Sequence, residues 1–197
     1  MTAALRLPDL DRQDWTVDDL ASLPEDLRYE LIDGMLILSS PSLTHQHLGL
    51  RICTALEVDC PADLVVVPDM SLRVDYRNEP RPDIVVAGPA HADQTPLPVE
   101  DAVLAVEIVS PTSHIRDTYA KLRGYAHAHV AYYWIVDPLY DRGIVLNEYR
   151  LAEGGGYDLV CTTSKLFTTD EPYPVTIDLP ALTARRDAIP KQVGAQG

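Results

Sequence analysis

Two acids set into short apolar strands constrain this chain more than any other feature. Asp83 stands in Arg81-Pro82-Asp83-Ile84-Val85-Val86, and Glu107 in Leu104-Ala105-Val106-Glu107-Ile108-Val109-Ser110-Pro111. A carboxylate inside a Val/Ile/Leu run is costly to bury unless something neutralises it, and charged residues are almost never fully buried unpaired. Two such acids on neighbouring strands make a hard-oxygen site suited to Mg²⁺ or Mn²⁺.

At 197 residues the chain is expected to form one compact domain with its own core, residues 15–180, with tails at 1–14 and 181–197. No apolar run approaches the roughly 20 residues that span a bilayer, and the N-terminus lacks a signal-peptide pattern. Cys53, Cys60 and Cys161 are odd in number and lack CxxC spacing. They read as reduced thiols of a cytoplasmic protein rather than a disulfide framework or a thiolate zinc site. A net charge of −14 excludes a protein that coats nucleic acid by bulk attraction. The charge is uneven, however. Residues 1–33 carry nine acids and three bases, whereas residues 111–150 carry four acids, five bases and His114, His127 and His129. A polyanion would approach that later segment, helped by a bound divalent ion.

The pattern of apolar residues and turn signals predicts a mixed sheet with helices on its faces, an α/β class with hairpins at both ends of the chain. Thr16–Leu23 reads as a short amphipathic helix, and Tyr29–Leu38 as a hairpin around Asp33-Gly34. Ser42 caps a helix over 44–58 with Leu48, Ile52 and Ala55 or Leu56 on one face. Strands follow at 64–67, 71–74, 84–87 and 103–109, with a Pro/Asp/Ala-rich loop over 88–101. A helix over 114–128, capped by Thr112 or Ser113, leads to a buried strand at 132–136. A last hairpin pairs 144–151 with 157–162, and the segment after Pro180 reads as peripheral.

Rise arithmetic gives the strand–helix crossover a chemical meaning. Strand residues rise about 3.3 Å each, so Glu107 lies about 10 Å behind the turn at Ser110. Helix residues rise about 1.5 Å each, so Lys121 also lies about 10 Å behind that turn as the helix folds back. Lys121 is therefore level with Glu107, and Asp117 and Tyr125 share its stripe. Two acids and a lysine are the parts of metal-assisted phosphodiester hydrolysis. Asp83 and Glu107 hold the metal, the lysine orients water or stabilises negative charge, and Glu30 is a candidate third acid.

At these residues the chain resembles the Uma2 family of restriction-endonuclease-like proteins, within the PD-(D/E)XK nuclease superfamily. The matching text is Tyr29-Glu30-Leu31-Ile32-Asp33-Gly34, Ser42 to His47, Arg81 to Val86, Val106 to Pro111, Arg116-Asp117 with Lys121 and Tyr125, and Tyr133 to Pro138. It covers about residues 15–165. The resemblance implies a restriction-endonuclease-like core and a Mg²⁺- or Mn²⁺-dependent endonuclease acting on DNA. It assigns Asp83 to the PD motif, Glu107 to the acid of (D/E)XK, and Glu30 to an extra N-terminal acid. Val109 stands where the motif's lysine belongs; related proteins move that lysine to the following helix, where this chain has Lys121.

Plainer readings stand beside each residue. Asp83 could pair with Arg81, Glu107 with Arg81 or Lys121 as a structural salt bridge, Lys121 with Asp117, and Glu30 could be a surface acid of the hairpin. His45 and His47, two apart at a helix start, face different ways and suit one metal ion poorly. Tyr132-Tyr133-Trp134 reads as core packing, and Asp137-Pro138 as a strand terminator. Two rival functions fit the same residues: a binding module of nuclease-like fold without activity, and a metal-dependent hydrolase of small phosphate esters. A homodimer is expected if both strands of a duplex are cut.

Overall fold

The computed structural model describes residues 12–24, 27–111, 113–114 and 116–189. In chain order the elements are α1 (Val17–Leu20), β1 (Tyr29–Ile32), β2 (Met35–Leu38), α2 (Leu43–Glu57), β3 (Val65–Pro68), β4 (Leu72–Arg73), β5 (Ile84–Ala87), β6 (Leu97–Pro98) and β7 (Ala102–Ile108). A π-helical turn (Arg116–Lys121) then runs into α3 (Leu122–His127). After it come β8 (Tyr132–Asp137), β9 (Val145–Leu151), β10 (Tyr157–Thr163), β11 (Leu166–Thr169), β12 (Val175–Asp178) and α4 (Leu179–Ala188).

A six-stranded sheet in the order β10-β9-β8-β7-β5-β3 forms the centre. Within this sheet only the β7–β8 pair is parallel, with Glu107 opposite Ile135, because the π turn and α3 provide the crossover that a parallel pair needs. Side chains alternate across β7. Leu104, Val106 and Ile108 join Trp134, Phe167, Leu48, Ile52 and Leu56 in the larger core. Ala105 and Val109 pack instead with Tyr125, Tyr133 and Ile135 on the α3 side. Glu107 has the parity of Ala105 and Val109, so its carboxylate goes to that second face. Ser42 caps α2 by accepting the His45 N–H at 3.2 Å. The fully buried stripe Leu48, Ile52 and Leu56 then fixes the helix on the sheet, each side chain worth about 1.5–3 kcal/mol of burial.

The fold is the mixed α/β arrangement that the patterning predicts, with three differences. The expected hairpin β1–β2 is present as its own two-stranded sheet, with Asp33 and Gly34 in left-handed conformation (φ 52° and 79°) at its turn. The 71–74 strand shrinks to β4, which pairs in parallel with β6 inside the supposed loop. The 114–128 helix is a π turn followed by a shorter α3. Finally, β11, β12 and α4 close the large core, and α4 buries Leu182 beyond the expected boundary at 180. The expected cap Thr112 and residues 1–11 and 190–197 of the expected tails lie outside the described residues.

Candidate active site

Glu107 occupies the last turn of the pleat in β7, where the sheet ends and the crossover begins. Lys121 closes the π turn and sends its ammonium back to it, 2.9 Å from Glu107 Oε1. The same Nζ lies 2.7 Å from Glu30 Oε2, carried by β1, and 3.5 Å from Asp117 Oδ1, four residues earlier in the turn. Three of the four predicted site residues, Glu30, Glu107 and Lys121, therefore meet at one point. Asp83 stands immediately before β5, and its Oδ2 accepts the Ile108 N–H at 2.6 Å. It is thus tied to the backbone of the residue after Glu107, and both acids line one cleft of about 620 Å³ together with Glu30, Asp117 and Lys121.

Two buried tyrosines shape this arrangement. Tyr125 Oη donates to Glu107 Oε1 at 3.3 Å, the oxygen that already receives Lys121. Tyr133 Oη donates to the Asp117 carbonyl at 2.8 Å, supporting the wide turn where an ordinary helical bond pattern is lost. The rings pack 5.2 Å apart. Asp117 and Lys121 consequently face the site together, as their spacing predicts.

The charge balance is lopsided. Burial opposes a charge on Lys121, but Glu107, Glu30 and Asp117 together outweigh it and hold the ammonium well above the ordinary lysine range. Burial drives the Glu107 carboxyl well above the usual carboxylate range against Lys121, and Asp117, Asp83 and Glu30 add to the rise. Asp117 is also raised, chiefly by burial. Three carboxylates thus crowd one buried ammonium, with Arg116 Nε 3.8 Å from Glu30 Oε1 at the edge.

Arg81 does not pair with Asp83 or Glu107; it binds Asp69, as does Arg28. His45 carries more than its sequence position suggests. Its Nε2 lies 2.8 Å from the Ile108 carbonyl oxygen and 3.4 Å from Asp83 Oδ2. Burial lowers the His45 pKa, but Asp83 more than compensates and the net shift is upward. Asp137 terminates β8 as expected, accepting the Leu139 N–H at 2.8 Å.

Comparison with known proteins agrees with this fold. The family model for Uma2, which bears the description "Putative restriction endonuclease", matches residues 17–179. The chain belongs to the Uma2 family. A comparison with curated proteins gave no match. Among solved structures, this Uma2 chain is similar to a protein from Anabaena variabilis ATCC 29413 titled as a putative nuclease belonging to DUF820. The TM-score is 0.62 at 16% identity, covering 87% of this chain and 98% of that one. That likeness concerns the fold. Within this Uma2 chain, Val109 is buried in the core of the α3 face and offers no charge to the cleft. Lys121 supplies the cation beside Glu107.

Proposed function

We propose that the chain is a Mg²⁺- or Mn²⁺-dependent endonuclease that hydrolyses DNA phosphodiester bonds. One observation carries the reading: a permanently charged lysine fixed among three acids at the base of a cleft that Asp83 also lines.

The donor set fits a hard divalent cation. The surplus of buried carboxylate, felt by Glu107 as a raised pKa, is what such an ion would neutralise. Among the described residues no group of three or more His, Cys, Asp or Glu side chains is arranged to hold a metal. Asp83 and Glu107 would hold it as two side-chain ligands, leaving other positions to water and phosphate, as Mg²⁺ commonly does. When bound, the ion would acidify a water and polarise a phosphoryl oxygen.

The protein's own groups have distinct parts. Lys121 stays an ammonium, so it cannot act as a base; it stabilises negative charge developing on the phosphoryl group. Glu30, 2.7 Å from Lys121, is placed to accept a proton from the attacking water. Tyr125 keeps Glu107 in orientation through its shared oxygen. The Ile108 N–H does the same for Asp83.

The direct test is nicking of supercoiled plasmid with Mg²⁺ or Mn²⁺, comparing wild type with Asp83→Asn and Glu107→Gln. Cutting that depends on metal and disappears in both variants is the expected result. A folded wild type that neither cuts nor binds Mg²⁺ by calorimetry overturns the proposal. A homodimer belongs to this reading if both strands of a duplex are the target.

A further inference from the structure

The reacting groups lie deep. The side chains of Glu30, Glu107, Asp117 and Lys121 retain 7%, 4%, 2% and 3% of their exposure, against 26% for Asp83. A phosphate must therefore enter the cleft to meet the ammonium; one that stays at the protein surface does not reach it. The phosphates of a duplex belong to a stiff rod whose partner strand and stacked bases hold them at its periphery. An unpaired strand has no such restraint.

The walls of the cleft agree with its depth. Leu38, at the end of β2, and Leu50, on the outer face of α2, line the cleft while remaining 42% and 65% exposed. Pro41 and Pro68 continue this aliphatic wall. Apolar surface at a cleft mouth suits the faces of unstacked bases and sugars, which a duplex keeps inside. The cations are placed differently from those of a duplex-tracking groove. Arg28, Arg81 and Arg116 line the cleft, but Asp69 engages the first two and Glu30 the third. The chain as a whole carries a net charge of −14. Duplex binding draws its affinity from many neutralised phosphates, whereas a threaded strand needs only the one or two that reach the base.

We infer that the cleft takes an unpaired polynucleotide strand, inserted so that one phosphodiester reaches Lys121 while adjacent base or sugar faces rest on Leu38 and Leu50. This inference rests on the nuclease reading above and names its substrate. A negatively supercoiled plasmid, which opens locally, remains a substrate on this view; a short fully paired duplex is a poor one.

The test uses one end-labelled oligonucleotide presented as a single strand, as a full duplex and as a duplex with an unpaired internal bubble, each in DNA and RNA form, with Mg²⁺ or Mn²⁺. The expected result is cutting of the single strand and the bubble at least tenfold faster than the duplex. Leu50→Ser, an exposed position whose change spares the core, lowers single-strand cutting several-fold. The DNA and RNA arms identify the sugar that the cleft prefers. A duplex cut as fast as the single strand overturns the inference while leaving the nuclease reading intact. Should no substrate be cut, the plasmid included, and no Mg²⁺ bind, the nuclease reading falls. Fluorescence anisotropy with Glu107→Gln then decides the inference on its own: tighter binding of single strand than duplex supports it, and equal or absent binding overturns it.

Discussion

Glu79 and Glu107 are both glutamates with almost no exposure, and they live in opposite circumstances. Glu79 follows Asn78 near the β1–β2 hairpin, where its backbone bridges Leu31. Its carboxylate meets Tyr29 at 3.4 Å and Arg73 at 3.5 Å. Burial raises its pKa, and every charged neighbour acting on it is an arginine that pulls it back down. Glu107 has one cation and three further acids, so most of its charged neighbours push its pKa upward. A buried acid alone is therefore a matter of structure. A buried acid overloaded with like charge, at the base of a cleft, is a place built for something more than its own stability.

The sharpest way to break this contrast is to neutralise each glutamate. Glu107→Gln is expected to lower metal-dependent nicking by at least about 100-fold, the scale of losing one transition-state electrostatic partner. Glu79→Gln keeps a rate within a few-fold of wild type. Equal losses in the two variants would erase the distinction.

Removing each glutamate's cation comes next. Lys121→Ala strands three acids and is expected to cost about 3–5 kcal/mol in urea unfolding at neutral pH. Much of that loss should return as pH falls and the acids take up protons. Arg73 is half in solvent, so Arg73→Ala costs only about 0–1 kcal/mol.

The smallest effect concerns His45. Its folded pKa lies above the ordinary 6.5, so its charged form adds stability that is fully present below about 6.5 and is lost as pH rises through the folded value. The stability difference between wild type and His45→Gln should therefore shrink across that window, by less than about 1 kcal/mol. A difference that grows with pH would contradict the raised value.

Much of the site was legible because its residues break local rules. Glu107 interrupts an apolar strand, and Lys121 follows from two rise distances and a crossover. Lys121 joins Glu30 as well as Glu107, although Glu30 is ninety-one positions earlier in the chain. His45 escaped notice because the sequence test asked whether it and His47 shared a metal. The relevant partners, Asp83 and the Ile108 carbonyl, are long-range. Pro180 misled in a different way. It reads as a terminator, yet it stands in the first turn of α4 just behind the capping Asp178, where proline favours a helix start. The strands β11 and β12 are four residues each, too short for alternation to declare itself, and Pro172 and Pro174 lie between them.

The wide turn at Arg116–Lys121 makes chain length, as well as composition, a condition of the chemistry. Tyr119 sits in that turn with its side chain 65% exposed. Its identity is dispensable, but its place in the count is not. An ordinary helix advances about 100° per residue. Deleting Tyr119 would turn Lys121 by about 100° around the helix relative to Asp117, so the two would lose their present common aim at Glu107. The segment should thus accept many substitutions at position 119 and no single-residue deletion, a sensitivity to spacing that a catalogue of side chains would never reveal.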